Sequence, residues 1–104
     1  MQINTTLLTL TDLKTMLGEG LHGWAYHAEI NHNPSSLTKY WRFADFQQAF
    51  AFMQQVATIA ESQNHHPDWR NCYNQVWATL STHDAGGVTQ QDVDFILAVE
   101  MLQK

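Results

Sequence analysis

The spacing of apolar residues predicts helical and extended segments in the first half of this chain. Apolar residues recur at helical spacing from Leu10 to Leu17, and the glycines that follow end this first helix. Apolar residues occupy alternate positions from Trp24 to Ile30, which is typical of a strand, and a second strand rich in aromatic residues runs from Leu37 to Phe43. The turn-forming residues 31–36 between them predict a β-hairpin.

A long helix is predicted to follow this hairpin. Asp45 is a good N-cap residue, and Gln48 three positions later completes a capping-box pattern. The predicted apolar stripe of this helix consists of Phe46, Ala49, Phe50, Met53, Val56, Ala57 and Ala60. Four aromatic residues of the chain are expected in the core: Phe46, Phe50, Trp77 and Phe95.

A second hairpin and a third helix complete the pattern. Strands are predicted at 68–72 and 75–82, joined near Tyr73-Asn74. Thr89 is expected to cap the last helix with Asp92 at its third position. The core stripe of that helix is predicted to be Val93, Ile96, Leu97 and Met101.

The resulting order of elements is helix, strand, strand, helix, strand, strand, helix. It predicts an α+β fold, in which three amphipathic helices pack on one face of a four-stranded antiparallel sheet. The other face and the sheet edges are then available for self-association. At 104 residues, the chain is expected to form a single domain spanning residues 1–104.

Composition narrows the classes of function. The formal net charge is −5 and the pI is near 5.5, which argues against direct contact with nucleic acid. Cys72 is the only cysteine, so no intramolecular disulfide can form. No secretory signal and no apolar run long enough for a membrane span are visible, so a cytoplasmic protein is expected.

The chemistry of the chain is concentrated in histidines and carboxylates. Glu61 precedes His65-His66-Pro67 by four residues, and His83 and Asp92 follow further along the chain. Imidazole can both give and take a proton near neutral pH, so the cluster indicates proton transfer on a small molecule. Taken alone, Asp92 is also explained as a helix-capping residue and Glu61 as a surface carboxylate.

A metal site is the competing interpretation of the same residues. Glu61, His65, His83 and Asp92 would supply nitrogen and oxygen ligands to zinc or iron. Strong metal motifs place two histidines at a helical or strand repeat, whereas this chain has only a directly adjacent pair. On the residues alone, metal-free acid–base chemistry and metal binding both stay open.

One ordered motif runs through the central and C-terminal parts of the chain. It reads Glu61-x-x-x-His65-His66-Pro67-Asp68-Trp69-x-Asn71-x-Tyr73-Asn74, then Val76, then Thr79-Leu80-Ser81-Thr82-His83, and then Gly87-Val88-Thr89-x-x-Asp92. Gly23-Trp24 and Phe43-x-Asp45-Phe46-x-x-Ala49-Phe50-x-Phe52-Met53 extend it upstream. In this frame, about four-fifths of the chain resembles the pterin-4a-carbinolamine dehydratase family.

The resemblance implies a reaction. Members of the family remove water from 4a-hydroxytetrahydropterin to give quinonoid dihydropterin, which regenerates tetrahydrobiopterin-type cofactors after aromatic amino acid hydroxylases have used them. The reaction requires no metal and no organic cofactor, so the resemblance favours acid–base chemistry over a metal site. Family members assemble as homodimers or homotetramers, and the implied partner is a small pterin substrate.

The resemblance also implies roles for individual residues. His65 and His83 would form the acid–base pair, and His66 would bind and orient the pterin. Glu61 would hold a histidine in one tautomer, and Asp92 would support His83 or the polar edge of the ring. The pocket would be lined by Asn64, His65, His66, Ser81, Thr82, His83 and Asp84, with Trp24 as a stacking wall.

A second class of function accompanies the same family. Vertebrate relatives also bind the dimerisation segment of a homeodomain transcription factor, which makes a non-catalytic, coactivator-like regulator the alternative. The segment from Ile30 to Thr38 is a few residues longer than expected in vertebrate relatives. That difference falls on the rim of the pocket or on a subunit contact.

Overall fold

The computed structural model describes residues 6–102, which form three α-helices and one four-stranded sheet. The helices are α1 (Leu10–Leu17), α2 (Phe46–Gln63) and α3 (Gln90–Leu102), and the strands are β1 (Ala25–His27), β2 (Ser36–Arg42), β3 (Asp68–Cys72) and β4 (Gln75–Leu80). The strand order is β1-β2-β4-β3, and all neighbouring strands are antiparallel. The predicted α+β fold and order of elements are confirmed.

The hydrophobic core lies between the helices and one face of the sheet. The central strands contribute alternate residues to it, because side chains along a strand point to opposite faces. These are Leu37 and Trp41 of β2 and Val76, Ala78 and Leu80 of β4. The helices contribute Leu13, Leu17, Ala49, Phe52, Val56, Ala60, Val93, Phe95, Ile96 and Val99.

The stripes predicted for the two longer helices are partly wrong. Ala49, Val56 and Ala60 are buried as predicted, but Phe46 and Phe50 are 44% and 46% exposed and stack on each other. On α3, Val93 and Ile96 are buried, whereas the other two predicted core residues, Leu97 and Met101, are exposed. Both helices carry more apolar residues than the sheet can cover, and the excess faces outward.

The aromatic residues of the sheet divide between its two faces. Phe95 on α3 is buried as predicted, but Trp77 of β4 lies on the face opposite the helices. There it contacts the ring of Tyr40 at 5.3 Å and lies under the guanidinium of Arg70 at 4.4 Å. Trp77 is therefore a half-buried surface residue and not a core residue.

The first hairpin and the end of β4 differ from the predicted bounds. The structure ends β1 at His27, because Asn31 and His32 adopt positive φ and turn the chain sharply between the bridged residues Ile30 and Asn33. The second strand begins and ends one residue earlier than predicted. Strand β4 stops at Leu80, because the next inward-facing residue, Thr82, pairs with Gly87 of the following loop instead of with β2.

Candidate active site

The C-terminal end of α2 gives two adjacent histidines different surroundings. Asn64 adopts the left-handed conformation, with φ 48°, and its N–H donates to the Ala60 carbonyl. The His65 N–H donates to the same carbonyl at 3.0 Å, as in a Schellman ending. Pro67 prevents the helix from continuing, because the residue before a proline favours extended backbone. As a result His65 is buried, whereas His66 is exposed.

His65 forms a short hydrogen bond with a fully buried carboxylate. Its Nε2 lies 2.6 Å from Oδ1 of Asp92, and the two side chains are 9% and 0% exposed. The ring of Phe95 packs edge-on against the imidazole, with 6.2 Å between centroids. Because an ionised carboxylate only accepts hydrogen bonds, Nε2 carries the hydrogen and Nδ1 keeps the lone pair in the neutral ring. The pair therefore sets the tautomer of His65.

Asp92 is itself fixed by two threonines. Its Oδ2 accepts hydrogen bonds from the Thr89 N–H and from the Thr82 hydroxyl, both at 2.9 Å. The two threonine hydroxyls are 2.7 Å apart, and both residues are buried. Thr89 precedes α3 and Asp92 is its third residue, as predicted, so one carboxylate both closes the start of α3 and holds His65.

The neighbouring histidine has a carboxylate partner at the surface. Nε2 of His66 lies 2.6 Å from Oε2 of Glu61, but these side chains are 54% and 80% exposed. Glu61 was expected to hold a histidine, and the histidine that it contacts is His66. Water competes for both groups, so this pair orients the ring less firmly than the buried one.

His83 is placed by a tight loop after β4. Thr82 donates to and accepts from Gly87, which closes the loop, and the short 3₁₀ turn His83–Ala85 lies between them. The loop is packed against the first hairpin, because Oγ of Ser35 accepts the Val88 N–H at 2.9 Å. A Cβ on Gly87 would lie 2.5 Å from that oxygen, so this close approach requires glycine.

The three histidines line one cavity of about 550 Å³, here called the first lobe. Its lining residues come from the end of α2, from the loop after β4 and from α3. They are Ser62, Gln63, Asn64, His65, His66, Ser81, Thr82, His83, Asp84 and Gln91. The volume falls in the usual range for a small-molecule site.

A second cavity of about 520 Å³, here called the second lobe, adjoins the first. The two lobes share His66, Ser81 and His83. The second lobe is otherwise lined by Pro34, Ser36, Pro67, Asp68 and Thr79. His66 and His83 therefore stand at the junction of a two-part cleft.

Most of the predicted pocket residues meet in the first lobe, but two expectations are wrong. Asp92 bonds to His65 and not to His83, because its oxygens are directed into the buried cluster below the loop. Trp24 is 4% exposed and packs edge-on against Trp41 in the core, so it forms no wall of either lobe.

The proposed metal ligands do not converge. Glu61 contacts His66, which was not among the proposed ligands, and Asp92 contacts His65, so the two carboxylates hold different histidines instead of sharing one coordination sphere. Within residues 6–102, no three His, Cys, Asp or Glu side chains are grouped so that they could hold a metal ion. Across the same range, each helix is too short or too polar to reach through a lipid bilayer.

Sequence reasoning placed Thr82 in the pocket but missed its contact with Asp92. A signal for it was present: Thr82 continues the alternation of Val76, Ala78 and Leu80, the inward-facing residues of β4. A threonine on a buried face needs a hydrogen-bond partner, so the inward-facing position of Thr82 indicated that its hydroxyl makes a buried polar contact. The sequence did not predict that Pro34, Ser36, Pro67, Asp68 and Thr79 line a second lobe.

The fold and the site together define a class of protein. Its members are small α+β proteins with a histidine-lined cleft and a buried histidine–carboxylate pair. The family model for pterin 4 alpha carbinolamine dehydratase matches residues 6–102. The chain therefore belongs to the pterin-4a-carbinolamine dehydratase family.

Individual relatives agree with this assignment. A Rhizobium leguminosarum protein, provisionally named a pterin-4-alpha-carbinolamine dehydratase, is 48% identical over 78% of this chain and 76% of its own length. An Opitutus terrae protein with the same provisional name is 43% identical over 93% of this chain and 94% of its own. The crystal structure of a transcriptional coactivator/pterin dehydratase from Brucella melitensis is 35% identical, with a TM-score of 0.77 over 93% of this chain and 98% of that one.

Proposed function

We propose that this protein dehydrates 4a-hydroxytetrahydropterin to quinonoid dihydropterin by histidine acid–base catalysis. The observation that carries the proposal is a cleft that joins three histidines, one of them held by a buried carboxylate. In the reaction, the hydroxyl on the ring carbon takes a proton and leaves as water. The adjacent ring nitrogen loses a proton, and its electrons form the new C=N bond. Protons balance, and nothing is oxidised or reduced.

The reaction adds one proton to the leaving hydroxyl and removes one from the ring nitrogen, so two side chains of the protein must act on the same substrate. His65 and His83 form the acid–base pair of this proposal, because they line the first lobe from different parts of the chain. The Asp92 contact leaves the lone pair of His65 on Nδ1, which suits that atom to accept a proton. Each general acid or base typically contributes about 10²–10⁴-fold.

The remaining residues bind and orient the ring in this proposal. His66 stands between the lobes, and Glu61 limits the rotation of its ring. Asn64, Ser81, Thr82 and Asp84 line the first lobe and offer backbone and side-chain hydrogen bonds to the polar edge of a pterin.

The wider setting of the reaction also belongs to the proposal. The protein would recycle a tetrahydrobiopterin-type cofactor in the cytoplasm, as a homodimer or homotetramer without a metal or organic cofactor. The exposed phenylalanines of α2 and the exposed Leu97 and Met101 of α3 support self-association, since a second copy would cover them.

The assay follows loss of the 4a-carbinolamine by ultraviolet absorbance, with purified protein and with the spontaneous reaction as baseline. His65→Ala and His83→Ala are each expected to lower kcat/KM by about 10²-fold or more. The matched control is His27→Ala, because His27 is an exposed histidine on β1 outside both lobes. Equal rates in wild type and both site variants, with folding intact by circular dichroism, would remove the assignment.

The second candidate function is a non-catalytic, protein-binding regulator. It is favoured by the exposed, stacked Phe46 and Phe50 on α2, and the Brucella melitensis relative is described as both a coactivator and a pterin dehydratase. If the protein is such a regulator, Phe50→Ser would abolish partner binding, and His65→Ala and His83→Ala would leave partner binding unchanged. The dehydration assay separates the two candidates directly.

A further inference from the structure

The three histidines of the cleft differ in what holds their rings. His65 bonds to Asp92 and His66 bonds to Glu61, each through Nε2 at 2.6 Å. The side chain of His83 is exposed, and its ring has no hydrogen-bond partner in the part of the chain that the structure describes. Its position in the cleft therefore depends on the backbone of the loop that carries it.

Residues 81–88, here called the His83 loop, are held at both ends by Ser35. At the start of the loop, the Ser81 hydroxyl donates to the Ser35 carbonyl at 2.9 Å. At the end of the loop, the Val88 N–H donates to the Ser35 hydroxyl at 2.9 Å. Ser35 is 6% exposed, so water competes little for either bond. One residue thus fixes both where the loop leaves β4 and where it turns toward α3.

The register of the sheet explains why the backbone of Ser35 is available for this contact. Leu37 lies opposite Leu80 in the β2–β4 pair, so the same register would place Ser35 opposite Thr82. The Thr82 N–H donates instead to the Gly87 carbonyl at 2.8 Å, which closes the loop. The ladder therefore does not continue to Ser35, and its carbonyl accepts a side-chain hydroxyl from the loop.

The segment before Ser35 is itself tightly held. Residues 31–32 adopt positive φ, and the backbones of Ile30 and Asn33 exchange two hydrogen bonds at 2.9 and 3.2 Å. Pro34 restricts the backbone further, because its ring fixes φ. Ser35 is therefore presented to the His83 loop by a preformed turn.

We infer that Ser35 is a positioning residue for the dehydration, because it holds both ends of the His83 loop and so keeps the His83 imidazole where the two lobes meet. This inference rests on the proposed function, in which His83 is one of the acid–base pair. A misplacement of about 1 Å in a reacting group can cost about 10²-fold in rate. Loss of the Ser35 contacts should therefore slow the chemical step.

The first measurement needs no substrate. The ring C–H signals of the histidines are recorded by ¹H–¹³C NMR in the free protein, and His83 is assigned by its absence in His83→Ala. In Ser35→Ala the His83 signals should shift or broaden, while those of His65 stay fixed, because Asp92 holds that ring. Thr15→Ala is the matched control, since it removes an exposed hydroxyl on α1, and it should leave all ring signals unchanged.

The second measurement is enzymatic. Ser35→Ala should lower kcat about tenfold and change the Kd of 7,8-dihydrobiopterin less than about twofold, because lost orientation affects the reacting step more than binding. Gly87→Ala should act alike, since its Cβ would lie 2.5 Å from the Ser35 hydroxyl oxygen. In the Ser35→Ala background, Gly87→Ala should cost little more, because the oxygen that it crowds is gone.

The outcomes separate this inference from the proposed function. If wild type does not dehydrate the carbinolamine, the proposed function fails, whereas the ring signals still support or overturn the positioning of His83 by Ser35. If wild type is active and Ser35→Ala changes neither kcat nor the His83 signals, only the positioning role is overturned. Fully additive losses in the double variant with Gly87→Ala would also overturn it.

A milder variant keeps the test valid if Ser35→Ala does not fold. Ser81→Ala releases the His83 loop at one end only, because the bond between Val88 and Ser35 remains. The His83 signals of the free protein should still shift in this variant. Unchanged His83 signals in folded Ser81→Ala would overturn the inference.

Discussion

His65 and His66 are adjacent in the chain, and each holds a carboxylate through Nε2 at the same distance, 2.6 Å. The surroundings of the two pairs are opposite. Asp92 is fully buried and its other oxygen is saturated by Thr82 and Thr89, whereas Glu61 is 80% exposed. Equal distances therefore do not mean equal constraint. The buried pair fixes one tautomer and one ring orientation, and the exposed pair holds the His66 ring less firmly.

The largest expected difference between the pairs is in stability. Asp92→Ala removes the acceptor of three buried donors and should lower the free energy of unfolding by about 3–5 kcal/mol. Glu61→Ala removes an exposed partner and should cost about 0–1 kcal/mol. Urea denaturation of both variants measures the contrast. Similar losses for the two variants would contradict the comparison.

Activity should follow the same order. Asp92→Asn replaces one of the two acceptor oxygens with an NH₂ group, so either His65 or the threonine donors lose their acceptor. The value of kcat/KM for carbinolamine dehydration should therefore fall about 10²-fold, mainly in kcat. Glu61→Gln should lower it by less than about fivefold, mainly through KM, because His66 binds and orients the substrate in this account. A larger effect from Glu61→Gln than from Asp92→Asn would reverse the assigned roles.

Thr82 tests whether the buried pair depends on its support. Thr82→Val keeps the shape of the side chain but removes the hydroxyl that donates to Asp92. This variant should lower the free energy of unfolding by about 1–2 kcal/mol and kcat roughly tenfold. Thr82→Ser keeps the hydroxyl and should restore most of both. The matched control is Thr58→Val on the exposed side of α2, which should change neither quantity. A serine variant as slow as the valine variant would assign the effect to packing.

Salt should produce the smallest effect, and only at the exposed pair. Raising NaCl from 0.1 to 1 M screens exposed charges much more than buried ones. Binding of 7,8-dihydrobiopterin to wild type should weaken about twofold more than binding to Glu61→Gln, as measured by fluorescence titration. The same increase in salt should leave the stability difference between wild type and Asp92→Ala unchanged. An equal salt response in wild type and Glu61→Gln would remove the role of Glu61 in binding.

Sequence periodicity predicted the order of the elements well, but not which apolar stripe of each helix faces the sheet. On α2, one stripe contains Ala49, Val56 and Ala60, and a neighbouring one contains Phe46 and Phe50. Both are apolar, so hydropathy alone merges them. Packing selects the stripe that also includes Phe52, whose ring contacts Trp41 of β2.

The site was predictable in membership but not in pairing. The motif brought His65, His66, His83 and Asp92 together, since each lies at the end of an element or in a loop that follows one. Spacing cannot decide which histidine Asp92 contacts across 27 residues, because that depends on how α3 packs against the end of α2. Trp24 was expected in the pocket, and its burial under Trp41 depends on packing of the same kind.

Imidazole resonances offer the most direct test of the central claim, that three histidines from two distant segments serve one substrate. Protein labelled with ¹⁵N-histidine is titrated with 7,8-dihydrobiopterin, and the ring signals are assigned with single histidine variants. We expect the signals of His65, His66 and His83 to shift with a single Kd, while that of His27 stays fixed. Saturating ligand that leaves the three unchanged, or that shifts them with unrelated affinities, would contradict it.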